Sequence, residues 1–432
     1  MNRITLLTLG LSLAPVLCWA EEPKADEAKA IAEIEKLGGK VTRDEKSPGK
    51  PVISVSFDAV AITNAELIHL KGLTQLQSLN LNTTQVTDAG LEYLKGLPNL
   101  KSLDLGATEV TDAGLANLKG LTILQSLNLE STSVSGTGLK HLGASPTLQS
   151  LNLARTKLTD AGMVHIGGLT RLETLDLSET GISDVGLVHV EGLAQLKTLN
   201  LSETGIGVAR SETGISDAGL AHLTKLTKLQ TLDLGWNKHV TDVGLTHVQG
   251  LTNVQTLNLL ATSVTDAGLQ HLLRLNQLRE LNLQGTNITD AGLERLKAFP
   301  QLEILNLNET QATDAGLKHL KHLTQIKSLS IRSTGVTGNG LEELKVLRRL
   351  QTLDLGTNVL TDAGVKGLKS CSQLRYLSVS DTHLTDTELN RLKLLSNLQG
   401  LYLFNPQTTN DCLKRFQEAL PKCKVDIISV GF

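Results

Sequence analysis

Eight of the chain's 11 histidines, His69, His141, His165, His189, His222, His247, His271 and His319, fall at one position of a repeated segment. A file of imidazoles at fixed spacing has two chemical uses, metal ligation and pH sensing near neutrality. Ligation needs several ring nitrogens within about 2 Å of one ion. Neighbouring helices sit about 10 Å apart, so successive members of the file are poorly placed to share an ion. We read the file as an exposed helix position copied with its segment, and expect no metal. A second file is acidic: Asp88, Asp112, Asp160, Asp184 and their equivalents. Calcium would suit such carboxylates. Each follows a Ser or Thr at the start of a helix, however, where negative charge complements the helix dipole, and capping explains them. A third file, Thr84, Thr108 and their equivalents, offers hydroxyls that are expected to bond backbone groups within a turn.

Other chemistry is sparse. The sequence holds no Walker A motif, no H-E-x-x-H, no G-x-S-x-G and no C-x-x-C pair. No further domain is expected to house an active site, and no cofactor is called for. Cys412 and Cys423 flank the last expected helix and could form a disulfide that staples the C-terminal end. Cys371 reads as a small buried residue.

The elements that must position these residues follow from the repeat. Leu76-Gln-Ser-Leu79-Asn-Leu81 aligns with Leu100-Lys-Ser-Leu103-Asp-Leu105 and Leu124-Gln-Ser-Leu127-Asn-Leu129, a step of 24 residues. Fifteen starts follow from Val52 to Leu398, and 12 of the 14 steps are 24. The step from Leu196 to Leu229 is 33 and contains a duplication of Ser-Glu-Thr-Gly-Ile nine residues apart. The next step is 25, with its extra residue around Trp236-Asn-Lys-His. The first half of each repeat alternates apolar and polar residues, the period of a strand. The second half, such as Thr87-Asp-Ala-Gly-Leu91-Glu-Tyr-Leu94, spaces its leucines for one face of a short helix. Ser or Thr at each helix start should cap it. Gly90 and its equivalents imply close approach between adjacent turns, because Gly inside a helix is otherwise costly. One repeat cannot bury its own leucines, so the repeats must stack around a continuous core.

The pattern L-x-x-L-x-L-x-x-N/C-x-L resembles that of the leucine-rich repeat over residues 52 to 415. The N/C position is usually Thr here, while Asn237 and Asn358 keep the Asn, and Val60 and Pro406 depart from it. The Thr-Asp-Ala-Gly-Leu half is similar to the ribonuclease-inhibitor-like and F-box-associated type, and to repeats of exported bacterial families. The resemblance implies an α/β solenoid, a horseshoe with parallel strands on the concave face and short helices on the convex face.

Both ends depart from the repeat. Residues 21–51 read as an N-terminal cap, a short amphipathic helix followed by a strand pair across Lys46-Ser-Pro-Gly-Lys50, and residues 416–432 as a C-terminal cap. Residues 1–20 read as a signal peptide: Arg3, then the uncharged 14-residue run Ile4 to Leu17, then Cys18-Trp19-Ala20. Leu17 before Cys18 argues against lipidation. Cleavage after Ala20 leaves 40 Lys and Arg against 44 Asp and Glu, a net charge of −4 with both signs mixed. This balance argues against nucleic acid as a partner, and no later segment is expected to span a membrane. The protein is expected in the periplasm or outside the cell.

The outward strand positions carry Asn80, Asp104, Asn128 and their equivalents beside Ser78, Ser102 and Ser126, a small and polar face. Toward the C-terminus Glu280, Ile304, Arg332, Tyr376, Tyr402 and Phe404 replace them. Aromatic residues and Arg anchor interfaces, so these residues and Trp236 are the candidate partner-binding set. Tyr402 and Phe404 have a competing role, packing beneath the C-terminal cap. The resulting expectation is an exported scaffold, without catalysis, that binds a protein or envelope polymer. The alternative is a structural spacer of the envelope that associates with itself.

Overall fold

The computed structural model describes residues 25–144, 146–205, 214–356, 358, 361–379, 384–404 and 407–428. The expected signal peptide and residues 206–210 of the duplicated segment lie outside them.

Each L-x-x-L-x-L segment forms a short strand whose central apolar residue is buried and whose flanking residues face outward, as in Ser78–Asn80. Successive strands pair in parallel, with equivalent residues side by side: Ser78 with Ser102, Leu79 with Leu103, Asn80 with Asp104. The pairing runs in chain order through a single 17-stranded sheet. Its one antiparallel pair among the described residues is the first, Lys40–Arg43 with Val52–Ser56. The nine-residue duplication leaves the stack intact, since Thr198 pairs with Thr231 and Leu199 with Leu232 across it. Beneath the sheet, leucines such as Leu76, Leu79, Leu81, Leu91 and Leu94 are fully buried, each contributing about 1.5–3 kcal/mol. Strands lie about 4.8 Å apart, whereas the helical layer behind them is wider. Stacking the two therefore curves the array with the sheet inside.

The helical half differs from expectation. Several repeats carry 3-10 helices, such as Gly90–Gly96, Gly114–Gly120 and Gly268–Leu272. In others the α-helix is only four residues long, as in Asp184–Leu187 and Asp314–Leu317. A 24-residue circuit leaves room for one to two turns, and segments this short favour i to i+3 bonding.

The expected Ser and Thr caps form in many repeats, although Thr159 makes no such bond. Ser183, Ser216, Thr241 and Thr289 each accept the backbone N–H two residues on. The Asp beside each cap acts across repeats rather than on its own helix alone. Asp88 accepts the Thr111 backbone N–H at 2.7 Å and its hydroxyl at 2.6 Å. Asp242 does the same for Thr265 at 2.8 and 2.6 Å. Across the long insertion Asp184 still holds Ser216, at 2.8 and 2.5 Å. The recurrent Gly completes this ladder. A Cβ on Gly268 would overlap Asp242 Oδ1, and one on Gly316 would overlap Asp290 Oδ1. Thr, Asp and Gly thus form one joint, in which the cap of one repeat is clasped by the carboxylate of the preceding one.

Both ends of the stack are covered. The helix Ala25–Lys36 buries Ile31 and Ile34. At the other end the helix Asn410–Ala419 buries Cys412 and Phe416, and Lys424–Ile428 adds a last parallel strand beside Gly400–Phe404.

Candidate functional site

Most of the outward sheet face is committed to structure. Asn80 Oδ1 accepts the Asn82 N–H at 2.8 Å, and Asp104 Oδ1 accepts that of Gly106 at 2.9 Å. Asn282 and Asn306 close the same turn, accepting from Gln284 and Asn308. Neighbours in the file also join: Asn128 Nδ2 donates to Asp104 at 2.9 Å and Asn258 Nδ2 to Asp233 at 3.0 Å. Inside each turn the Thr hydroxyl donates to a carbonyl, Thr84 to Leu81 at 2.7 Å and Thr108 to Leu105 at 2.6 Å. Asn237 takes over this role with bonds to Leu201 and Leu234 oxygens at 2.7 and 3.0 Å.

The histidines are half-buried on the helical side. His222 Nδ1 lies 2.7 Å from Glu191, which also binds Lys225 at 2.7 Å. The Lys225 ammonium and then His222 hold the Glu191 carboxyl below its ordinary value. Among the described residues no three His, Cys, Asp or Glu side chains converge on a metal position.

Of the candidate binding residues, Glu280 and Ile304 are exposed and adjacent in register. Arg332 lies beyond the strand Ser328–Ser330, in the following turn, where its N–H donates to Asn308 at 2.7 Å. The strand was expected to include it, but the three-residue strand ends two positions earlier. Tyr376 and Tyr402 are each 38% exposed, so neither is sealed beneath the cap. Tyr376 pairs with Gly400 and Ser378 with Tyr402. The two rings enclose Gly400: a Cβ there would lie 2.8 Å from Tyr376 Cδ1 and 3.5 Å from Tyr402 Cε2. Phe404 pairs through its backbone with Ile428, and its side chain lies outside the described part. Trp236 stands apart on the rim after the strand Thr231–Asp233, 57% exposed and with φ of 62°.

Cys412 and Cys423 do not form the anticipated disulfide; both are free and buried. Cys412 lies in the first turn of the helix Asn410–Ala419 and Cys423 beyond its far end. Its rise of about 1.5 Å per residue carries the chain past the 4.4–6.8 Å that a disulfide spans between α-carbons. Cys412 Sγ instead approaches the Asp386 carbonyl at 3.5 Å. Burial pushes the Cys371 and Cys423 thiols up to about 11 each.

Beside the tyrosines is a feature that single-repeat reading missed. Arg348, Arg349, Gln351, Gln373, Arg375, Asn397 and Gln399 line a cleft of about 370 Å³ at the strand-entering rim. Its signal lay in the columns: Arg348-Arg349 places two cations where other repeats carry one at most, as at Arg171 and Lys228.

Leucine-rich-repeat models match residues 72–95, 96–119, 146–206, 225–246, 274–297 and 347–369. The chain is a leucine-rich-repeat solenoid. No curated protein matches its sequence. Among solved structures, the solenoid is similar to an internalin of Listeria monocytogenes, with 26% identity, a TM-score of 0.61, and coverage of 82% of this chain and 95% of that one. A leucine-rich-repeat protein of Leptospira interrogans shares 22% identity at a TM-score of 0.58, covering 86% and 94%. Mouse RP105, solved in complex with MD-1, shares the fold at 19% identity and a TM-score of 0.59, covering 89% and 73%.

Proposed function

We propose that this solenoid is an exported, non-catalytic binding scaffold whose protein or envelope partner docks on the C-terminal end of the concave face and the adjoining rim. The repeats are taken to be of the ribonuclease-inhibitor-like type, on their Thr-Asp-Ala-Gly-Leu half. The observation that carries the docking site is the pair Tyr376 and Tyr402, two half-exposed rings around Gly400. They stand on a face whose other polar residues are largely consumed by their own turns. Aromatic rings of this kind supply contact area at small entropic cost. Support for export is the apolar run Ile4–Leu17 with Cys18-Trp19-Ala20 behind it.

The test is a pull-down from envelope extract with the chain from Glu21, beside a Tyr376→Ala, Tyr402→Ala variant of matching circular dichroism. A photo-crosslinking residue at position 402 or at Ser126 maps the contact. A partner lost by the variant and crosslinked from position 402 but not from 126 supports the reading. Self-association with no captured partner overturns it in favour of a spacer.

A further inference from the structure

We propose that the cleft of Arg348, Arg349 and Arg375 is an anion-recognition site that receives a carboxylate-rich segment of a protein partner. The inference rests on the reading of the C-terminal end as the docking face and specifies its chemistry.

The residues just before each strand form a column along this rim. Three other cations of this column meet an acid from an adjacent repeat, whereas Lys101 meets the Gln77 amide oxygen at 3.1 Å. Lys197 meets Glu173 at 2.6 Å, and Arg279 and Lys327 share Glu303 at 2.9 and 2.5 Å. In the repeats that follow, Gln351 and Gln399 flank Arg375 in the same column, and no carboxylate lines the cleft. The three guanidinium groups make no ion pair among the described residues, in a chain whose net charge is −3.

The Gln399 amide offers its donors to the cleft, whereas those of Gln373 and Asn397 are partly spent on backbone carbonyls. Gln373 Nε2 and Asn397 Nδ2 are occupied by the Leu347 and Ser372 carbonyls, at 2.9 and 2.7 Å. The Gln399 oxygen accepts from the Tyr376 hydroxyl at 3.4 Å, which leaves its NH₂ group for a ligand and joins the cleft to the tyrosine pair. Three like charges gathered without an acid repel one another, and a bound anion relieves this. Guanidinium forks match carboxylate geometry in a way an ammonium does not. The cavity, about 370 Å³, suits a few side chains. A nucleic acid would demand a longer cationic track, and the acids Glu173 and Glu303 interrupt the column.

The probe is a fluorescein-labelled peptide of alternating Glu and Tyr, followed by anisotropy. The variant is R348Q/R349Q/R375Q. The control, K71Q/K119Q/K140Q, makes the same charge change at exposed positions on the helical side. Matching circular dichroism secures the fold of both. The expected result is binding weakened about tenfold or more in the arginine variant, within about twofold in the control, with a shallower dependence on salt in the arginine variant. Equal weakening in both variants, equal binding of a Gln-for-Glu peptide, or preference for a sulfated oligosaccharide over the peptide would overturn the proposal. Absence of peptide binding overturns it too. A natural partner retained by the arginine variant but lost with Tyr376→Ala, Tyr402→Ala sinks the anion site alone. A partner indifferent to both variants sinks the docking face as well.

Discussion

Alanine in place of Gly268 should destabilise the array, although this exchange is favourable at most positions with a compatible backbone. Gly268 opens the 3-10 helix Gly268–Leu272, and its φ lies outside the left-handed region. An alanine at such a site ordinarily gains about 0.4–1 kcal/mol by restricting the unfolded chain. Here its Cβ would overlap Asp242 Oδ1 and lie 3.1 Å from Leu245 Cδ1. Leu245 is an apolar side chain able to yield a few tenths of an ångström. Asp242 can yield only by giving up the Thr265 N–H or hydroxyl, now held at 2.8 and 2.6 Å. A hydrogen bond to a charged group contributes about 1.5–3 kcal/mol, and the lower end applies to a half-exposed carboxylate. Losing one such bond against the alanine gain leaves a net cost of about 1 kcal/mol. With Asp242→Ala already in place the obstruction is gone, and Gly268→Ala should then stabilise by about 0.5 kcal/mol. The double-mutant cycle therefore closes with a coupling of about 1–2 kcal/mol. Urea unfolding by circular dichroism at neutral pH reads all four proteins, compared by midpoint at equal slope. A raised midpoint for Gly268→Ala, or simple additivity of the two changes, would refute the clasp.

Three further outcomes follow from the same geometry. Burial raises the Asp112 and Asp314 carboxyls, but bonds from Ser135 and Thr337 and neighbouring backbone N–H groups outweigh it and leave both lowered; the Thr409 N–H and hydroxyl lower Asp386. The unfolded chain then binds more protons below about pH 4. Stability should thus be level above that pH and fall as pH drops through the lowered folded values, with a weaker acid dependence in Asp112→Asn than in wild type. The buried thiols of Cys371, Cys412 and Cys423 should resist a thiol reagent at pH 8 until urea unfolds the chain, and reductant should leave the midpoint unmoved; a reductant-sensitive midpoint would reinstate a disulfide. Asn282→Ala should cost about 1 kcal/mol through the turn bond to Gln284, yet leave partner capture intact, and lost capture without lost stability would return this file to the binding surface.

The strands were legible because leucine spacing alone places Leu79 and Leu81 inward and Ser78 and Asn80 outward, and the register Ser78 to Ser102 repeats the sequence step. The helix caps were legible for a similar reason, since Ser183 needs only the N–H of Val185. What escaped were interactions between repeats. Asp88 reads locally as a first-turn acid, while its two short bonds reach Thr111 in the next circuit. The helix type escaped because packing length, not propensity, selects the 3-10 form of Gly90–Gly96. Cys412 and Cys423 are close in sequence, and only the intervening helix shows why they do not meet. The arginine cleft was hidden in the same way, its members coming from four repeats and its missing acids visible only beside the Glu303 pairing.

This contrast bears on where function can sit in the array. In a one-dimensional stack each repeat meets only its neighbours, so a residue present in every repeat has a partner in every neighbour. Thr84, Asp88, Gly90 and Asn80 belong to columns that recur in most repeats, and each has its role filled inside the stack. A residue that occurs once has no such partner waiting. Tyr376 leans over Gly400 only because that repeat lacks a side chain at the position. Trp236 holds a left-handed φ of 62°, which is strained for a bulky side chain. In the following repeats Ala261 and Gly285 occupy the equivalent conformation, so stacking does not require a ring there. Arg348 and Arg349 place two charges where other repeats carry one at most, as at Arg171 and Lys228. None of these residues is explained by the stability of the solenoid, and a ligand is what a solvent-facing ring or an unpaired guanidinium lacks.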